Sequence, residues 1–179
     1  YEAHARATMG WTGGTLKEEN PRLYKLAKMR VLGLGYGCGP EKFRWLAARA
    51  GLELTREEAK LAVHQYRCEN PGIVNLWDTL DAVYRAYDGR TYYLALPSGR
   101  SLVYRNVNAE RGTAEQVKGR QSKIYGGLLC ENMVQAIARD LFAYYLLGFV
   151  DSLARVVLLV HDEFVIETPD DYAEAGIDW

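Results

Sequence analysis

The sequence predicts an α+β fold, on three observations. Helix caps and apolar residues at helical spacing fill most of the first half. At Thr91 the texture changes to an apolar, aromatic run closed by a Pro-led turn, Pro97-Ser98-Gly99-Arg100. Near the end, the apolar stretches 156–160 and 164–166 flank His161-Asp162-Glu163, which reads as a hairpin with an acidic tip. Helices packed beside small antiparallel ribbons make the α+β class.

Each element has a local reason. Residues 17–34 carry a helical pattern broken at Pro21, so the helix is expected to start near Asn20-Pro21. A second short helix spans 41–50 and closes at Gly51. Thr55-Arg56-Glu57-Glu58 is a capping box that opens a third. Asn70-Pro71 opens a fourth, with Ile73, Trp77, Leu80, Tyr84 and Tyr87 at helical spacing and Gly89 ending it. An aromatic row at that spacing is core packing. Residues 91–105 form a hairpin with Gly99 at the left-handed position of its turn. The stretch 106–120 is polar, lacks periodicity and reads as a loop. A long helix is expected at about 123–148, with Leu129, Met133, Ile137, Leu141 and Tyr144 facing a core and Glu131, Gln135 and Arg139 on another side. The acidic-tip hairpin occupies 156–167. This gives a helical region, 1–89, and a mixed region, 90–179.

Composition narrows the class. Of 179 residues, 49% are hydrophobic and 25% charged, which suits one globular domain or a piece of a larger one. No apolar run approaches the roughly 20 residues that span a bilayer, so no membrane partner is expected. No signal-peptide pattern opens the chain. Cys38, Cys68 and Cys130 are odd in number and widely spaced, and fit neither a disulfide framework nor a zinc site; a cytoplasmic setting follows. A net charge of −1 argues against a wholly basic nucleic-acid module. Arg100, Arg105, Arg111, Lys118, Arg120 and Lys123 nevertheless cluster, and such a segment can be a solvated loop or a contact for phosphates.

Gly33-Leu34-Gly35-Tyr36-Gly37-Cys38-Gly39 invites a dinucleotide-binding reading, with Glu53 in the place of a ribose-binding acid. Cysteine at 38 breaks the G-x-G-x-x-G fingerprint, and no alternating β-α units follow. The helical reading offers other chemistry. Tyr24, Lys28, Leu32 and Tyr36 stand four residues apart on one face. A lysine and a tyrosine there could hold a polyphosphate with a flat base beside it, or the lysine could be a solvated side chain. The acidic tip likewise reads as a charged turn or as oxygen donors for a divalent metal.

Taken together, these stretches resemble a family A DNA polymerase of the phage-encoded branch. Lys28-Met29-Arg30-Val31-Leu32-Gly33-Leu34-Gly35-Tyr36-Gly37 is similar to the family's fingers helix. Val160-His161-Asp162-Glu163 resembles its palm metal hairpin. Tyr125-Gly126-Gly127-Leu128-Leu129, Glu131-Asn132-Met133-Val134-Gln135-Ala136 and Ala138-Arg139-Asp140 resemble the palm helix between them. Leu96-Pro97-Ser98-Gly99-Arg100 resembles the hairpin beside the primer-template, and His4 the histidine near the start of the fingers. The order is the family's own and the matches cover nearly the whole chain.

The resemblance implies a helical fingers subdomain plus part of an antiparallel palm with a metal-binding β-hairpin. It implies template-directed DNA synthesis, with dNTPs and a DNA primer-template as partners, in a bacterial host cell if the gene is a phage's. Lys28 would hold the nucleotide's phosphates and protonate the pyrophosphate leaving group. Tyr36 would close the templating pocket by stacking, Leu32 would line the nucleotide site, and His4 would touch a terminal phosphate. Asp162 would hold two Mg²⁺ ions, with Glu163 a weaker ligand. His161 would sit by the primer end. Gln135, Glu131, Asn132, Arg139 and Arg100 would contact the primer-template.

Three departures qualify the likeness. Tyr24 stands where many members carry an arginine. Leu32 stands for an aromatic that influences selection at the sugar 3′ position. The family's other metal-bridging aspartate precedes the segment matched by residue 1. The chain is therefore expected to be a polymerase fragment, inactive alone, with that aspartate supplied by the remainder of the polypeptide or by another chain. The alternatives are a non-catalytic nucleic-acid- or nucleotide-binding remnant and a dinucleotide-binding protein.

Overall fold

The computed structural model describes residues 1–116, 119–149 and 155–170; Lys118 of the basic segment lies outside them. Those residues form seven α-helices and six strands, a mixed α+β architecture with a four-stranded antiparallel sheet in sequential order and a separate two-stranded one. The chain divides into two compact units. One comprises Tyr1–Tyr93 with Val103–Asn132; the other comprises Leu94–Leu102 with the described residues from Met133 onward.

In the first unit, α1 (Glu2–Thr8) and α2 (Leu16–Glu19) pack on α3 (Pro21–Met29) around buried Ala5, Leu16 and Ala27. Helix α3 starts where its caps require. The Asn20 side chain accepts from the Leu23 N–H at 3.0 Å, and Pro21 occupies the first helical position. The chain then widens into a π-helical turn, Arg30–Leu34, before α4 (Pro40–Arg49). Val31 and Leu34 are therefore helical, which removes the strand that a dinucleotide fold needs at this point.

Helix α5 (Arg56–Glu69) opens on the complete capping box: the Glu58 N–H donates to Thr55 Oγ1 and the Thr55 N–H to the Glu58 carboxylate. Helix α6 (Pro71–Arg85) buries Trp77, Leu80 and Tyr84 along one stripe. It ends at Arg85, two residues before Tyr87, which instead stacks edge-on against Tyr92 of strand β1 (Thr91–Ala95). Strand β2 (Ser101–Asn108) follows. The expected loop at 106–120 is replaced by ladder: β3 (Thr113–Gln116) pairs with both β2 and β4 (Arg120–Lys123). Pairing partners, rather than apolar alternation, make these strands, since among the described residues of this stretch only Ala114 and Ile124 supply buried aliphatic side chains.

Helix α7 (Gly126–Leu147) starts three residues later than its sequence pattern, because Lys123 ends β4. In the second unit its later residues depart from expectation. Leu141 and Tyr144 are 54% and 71% exposed, so the stripe that buries Leu129 does not continue as core to the helix end. Strands β5 (Arg155–Val160) and β6 (Glu163–Glu167) pair antiparallel, with Leu158↔Val165, Leu159↔Phe164 and Val160↔Glu163 in register. Phe164 stacks on Phe142 of α7, 4.3 Å between ring centres, and meets Phe149 edge-on. Cross-strand partners share a face, so Leu158, Val160, Glu163 and Val165 lie on the face opposite Phe164.

Candidate functional site

In the first unit, Lys28 is exposed on α3 with its ammonium 5.9 Å from the centre of the Tyr1 ring. Tyr1 also meets Tyr24 edge-on at 5.8 Å, so Tyr24 and Lys28 flank one aromatic ring, as their four-residue spacing requires. Leu32 continues outward and is 52% exposed. Tyr36 does not extend the helix. It follows the π turn, in a turn of its own spanning Gly35 to Gly37, so an unbroken stripe of four is corrected to a helical pair, an exposed leucine and a tyrosine re-aimed by the wider turn.

What holds that re-aimed segment is a residue the sequence did not single out. Arg30 is 2% exposed and pairs with Glu69 of α5 at 2.7 Å. Its Nε is buried without a hydrogen-bond partner among the described residues. The other end of the turn is tied by Trp77, whose indole N–H donates to the Gly35 carbonyl at 3.1 Å. Nothing in the local pattern marks Arg30, because arginines on an amphipathic helix are ordinarily solvated.

His4 on α1 belongs to this cluster. Its ring centre lies 6.0 Å from that of Tyr66, and its Nε2 is 3.2 Å from Thr8 Oγ1. Burial first, and the Arg30 guanidinium second, push the His4 imidazolium below its ordinary range, with Glu69 opposing.

Tyr36 is half-buried, and its phenol is shifted upward mainly by burial, with Cys130 and Glu131 of α7 adding to the effect. The start of α7 sits directly against this segment. A Cβ on Gly127 would overlap the Tyr36 carbonyl, and one on Gly126 would overlap the Trp77 carbonyl. The two glycines therefore set how closely the helix approaches Tyr36. Asn132, one turn further on, donates to the Tyr104 hydroxyl at 2.9 Å.

In the second unit, the hairpin tip consists of two residues, His161 and Asp162, between the last pair Val160↔Glu163. His161 takes φ 54°, a left-handed conformation uncommon for a residue other than glycine or asparagine. The tip presents Asp162 to solvent, while Glu163 begins the return strand on the exposed face. Gln135 and Arg139 are exposed on α7, with the Arg139 guanidinium 5.5 Å from the Phe142 ring centre. Arg100 is engaged rather than projecting freely: its Nε donates to Asp140 at 2.8 Å, and Ser98 donates to the same carboxylate. Asp140 thus clamps the turn at Gly99, across 42 residues of sequence, a pairing that no local signal announces.

Carboxylates at a strand tip are donors of the kind a hard cation takes. Among the described residues, however, no three His, Cys, Asp or Glu side chains gather into a set that could hold an ion. Asp162 and Glu163 fit a divalent metal in chemistry and fall short in number.

The described residues contain no helix long and apolar enough to cross a membrane. No family model matches the chain. It is 29% identical over 198 residues to the DNA polymerase of Bacillus phage SP02, an alignment that takes in 94% of this chain and 30% of that protein. The chain thus spans about 30% of the length of the curated relative it matches.

Proposed function

We propose that this chain is the fingers and part of the palm of a family A DNA polymerase, and that it works in template-directed transfer of nucleotides from dNTPs to a primer 3′-hydroxyl. The observation that carries this reading is the likeness to a phage DNA polymerase along nearly the whole chain. The geometry agrees in kind. An exposed lysine stands on the helix before a π turn, a half-buried tyrosine follows it, and an aspartate occupies the tip of a two-residue hairpin.

On this reading Lys28 meets the triphosphate as a point charge and returns a proton to the departing pyrophosphate. His4 touches a terminal phosphate. The half-buried Tyr36 ring offers a stacking face that does not depend on base identity. Gln135, Arg139 and Asn132 present donors and acceptors suited to minor-groove edges, where pair geometry is sensed without reading sequence. Arg100 and His161 lie beside the primer-template. Asp162, and more weakly Glu163, would hold Mg²⁺ together with a carboxylate from outside this chain. Bound there, the ions would supply activation of the 3′-hydroxyl and stabilisation of the leaving oxygens. The work belongs in the cytoplasm of a bacterial host.

Replacing Asp162 with asparagine in a polymerase containing this segment should abolish primer extension and leave DNA binding intact. Lys28→Ala should raise the KM for dNTP. Normal synthesis by both variants would remove the site assignment. The 179-residue chain alone should give no primer extension with Mg²⁺, and robust synthesis would refute its fragment character. The non-catalytic reading draws on the shortage of clustered carboxylates among the described residues. An aspartate in a strand-like segment encoded just upstream favours the enzyme over that remnant.

A further inference from the structure

A polar hollow of about 470 Å³ opens on the sheet of the first unit, lined by Arg90, Arg111, Asn106, Asn108, Thr113 and Gln121. It owes its shape to an irregularity in β2. The pairing of β2 with β3 slips between Arg105 and Asn108, and within the slip Asn106 takes φ 46°. A bulge of this kind bends its strand and re-aims the side chains around it. The unusual backbone is held from both neighbouring strands: the Asn106 side chain donates to Glu115 on β3, and its carbonyl accepts from Gln121 on β4 at 3.3 Å. Next to it, the Val107 N–H donates to the Arg90 carbonyl at 3.0 Å. The Asn108 side chain accepts from the Arg111 N–H at 2.9 Å and shapes the turn into β3.

Two arginines from separate parts of the chain are thereby delivered to one hollow. No carboxylate lines it. Among the described residues neither guanidinium joins an ion pair. The carboxylate beside the hollow, Glu115, is occupied by Asn106, and Arg85 at the end of α6 already donates to the Ala109 and Glu110 carbonyls. Two arginines lining one hollow without a carboxylate in it suit a tetrahedral oxyanion, because the guanidinium fork matches phosphate bidentately.

We propose that Arg90 and Arg111 form a phosphate-binding pocket that takes a backbone phosphate of a DNA strand, at a place separate from Lys28 and His4. The phosphate chemistry stands on the pocket itself; the strand's identity as DNA rests on the polymerase reading. Contact is with the backbone, so binding there is independent of base sequence.

The test is fluorescence anisotropy of the 179-residue chain with a labelled primer-template across a salt series. The Arg90→Gln/Arg111→Gln variant should weaken binding about tenfold at low salt and flatten the plot of log K against log salt by about one unit per lost contact. Arg90→Lys/Arg111→Lys keeps the charge without the fork and should fall between. Matching thermal unfolding of the variants and the parent secures the comparison. An unchanged slope would overturn the pocket, as would an equal loss from Arg67→Gln, an exposed arginine on α5. Tripolyphosphate separates the sources of phosphate. If it binds through the two arginines while DNA affinity ignores them, the assignment to a strand is overturned. Nucleotide binding that depends on Lys28 but coexists with arginine-independent DNA binding would remove the pocket and leave the polymerase reading intact.

Discussion

Arg30 and Glu69 are joined by a 2.7 Å ion pair that fastens the π-helical turn to α5, with Arg30 buried and Glu69 partly open to solvent. Removing one partner of a buried pair leaves an uncompensated charge and costs more than the pair's net worth. Glu69→Gln leaves the buried Arg30 guanidinium uncompensated and should destabilise by about 3 kcal/mol; Arg30→Ala leaves only the partly solvated Glu69 but also loses the buried arginine stem, and should cost about 2 kcal/mol or more. Urea unfolding of the singles and the double should show non-additivity of about 1 kcal/mol or more. Strict additivity would mean that the contact contributes nothing as a pair.

His4 gives a pH signature. Its folded-state proton affinity lies below the ordinary value, so protonation favours the unfolded chain. The contribution is full above the unfolded pKa of about 6.5 and is lost as pH falls through the lower folded value. A Tm series from pH 8 to 5 should fall in the parent and fall less in His4→Gln. An NMR titration of the His4 ring with a midpoint at or above the free-histidine value would contradict the burial and Arg30 effects.

Gly126 fixes a packing distance. An added methyl would meet the Trp77 carbonyl, and backbone cannot yield as a flexible side chain does. Gly126→Ala should lower stability by at least about 2 kcal/mol. Gly72→Ala, where a Cβ meets nothing within 4 Å, is the control and should be neutral or mildly stabilising. Chemical denaturation compares the two.

Asp140 organises the turn that carries Gly99. Ser98 first, and Arg100 second, hold its carboxyl below the usual range, so the clamp persists from neutral pH down to the ordinary carboxylate range and is lost as pH falls further. Asp140→Ala should speed amide exchange at Gly99, whose N–H donates to the Leu96 carbonyl at 3.0 Å, with little change at the middle of α5. Equal exchange in both proteins would show that the turn stands without the clamp.

The sequence was most legible where structure is local. Asn20, the Thr55–Glu58 box, the Trp77–Leu80–Tyr84 stripe and Gly99 each act through neighbours within a few residues. Strands β3 and β4 were not legible, because Thr113–Gln116 and Arg120–Lys123 are polar and gain their conformation from the ladder. The π turn depends on Arg30–Glu69 and Trp77–Gly35, contacts 39 and 42 residues apart. Helical spacing told which residues of α7 share a face, and could not tell that Leu141 and Tyr144 stay exposed on it. For the candidate site, Lys28, Tyr36 and Asp162 stood out by type and spacing. Arg30, Asp140 and the Arg90–Arg111 hollow did not, since each is made by distant partners.

The β5–β6 hairpin has a practical side. Val156, Val157, Leu158, Leu159 and Val160 follow one another on a two-stranded ribbon, and all but the first are 40% exposed or more. Five branched apolar residues in a row, on a strand that pairs along one edge only among the described residues, are a template for strand-to-strand stacking between molecules. Light scattering should therefore rise with concentration in samples of the free chain, and a charged substitution at Leu158 should suppress it. The strand that carries Asp162 to its tip also sets how concentrated a solution of the chain can be before molecules begin to zip together.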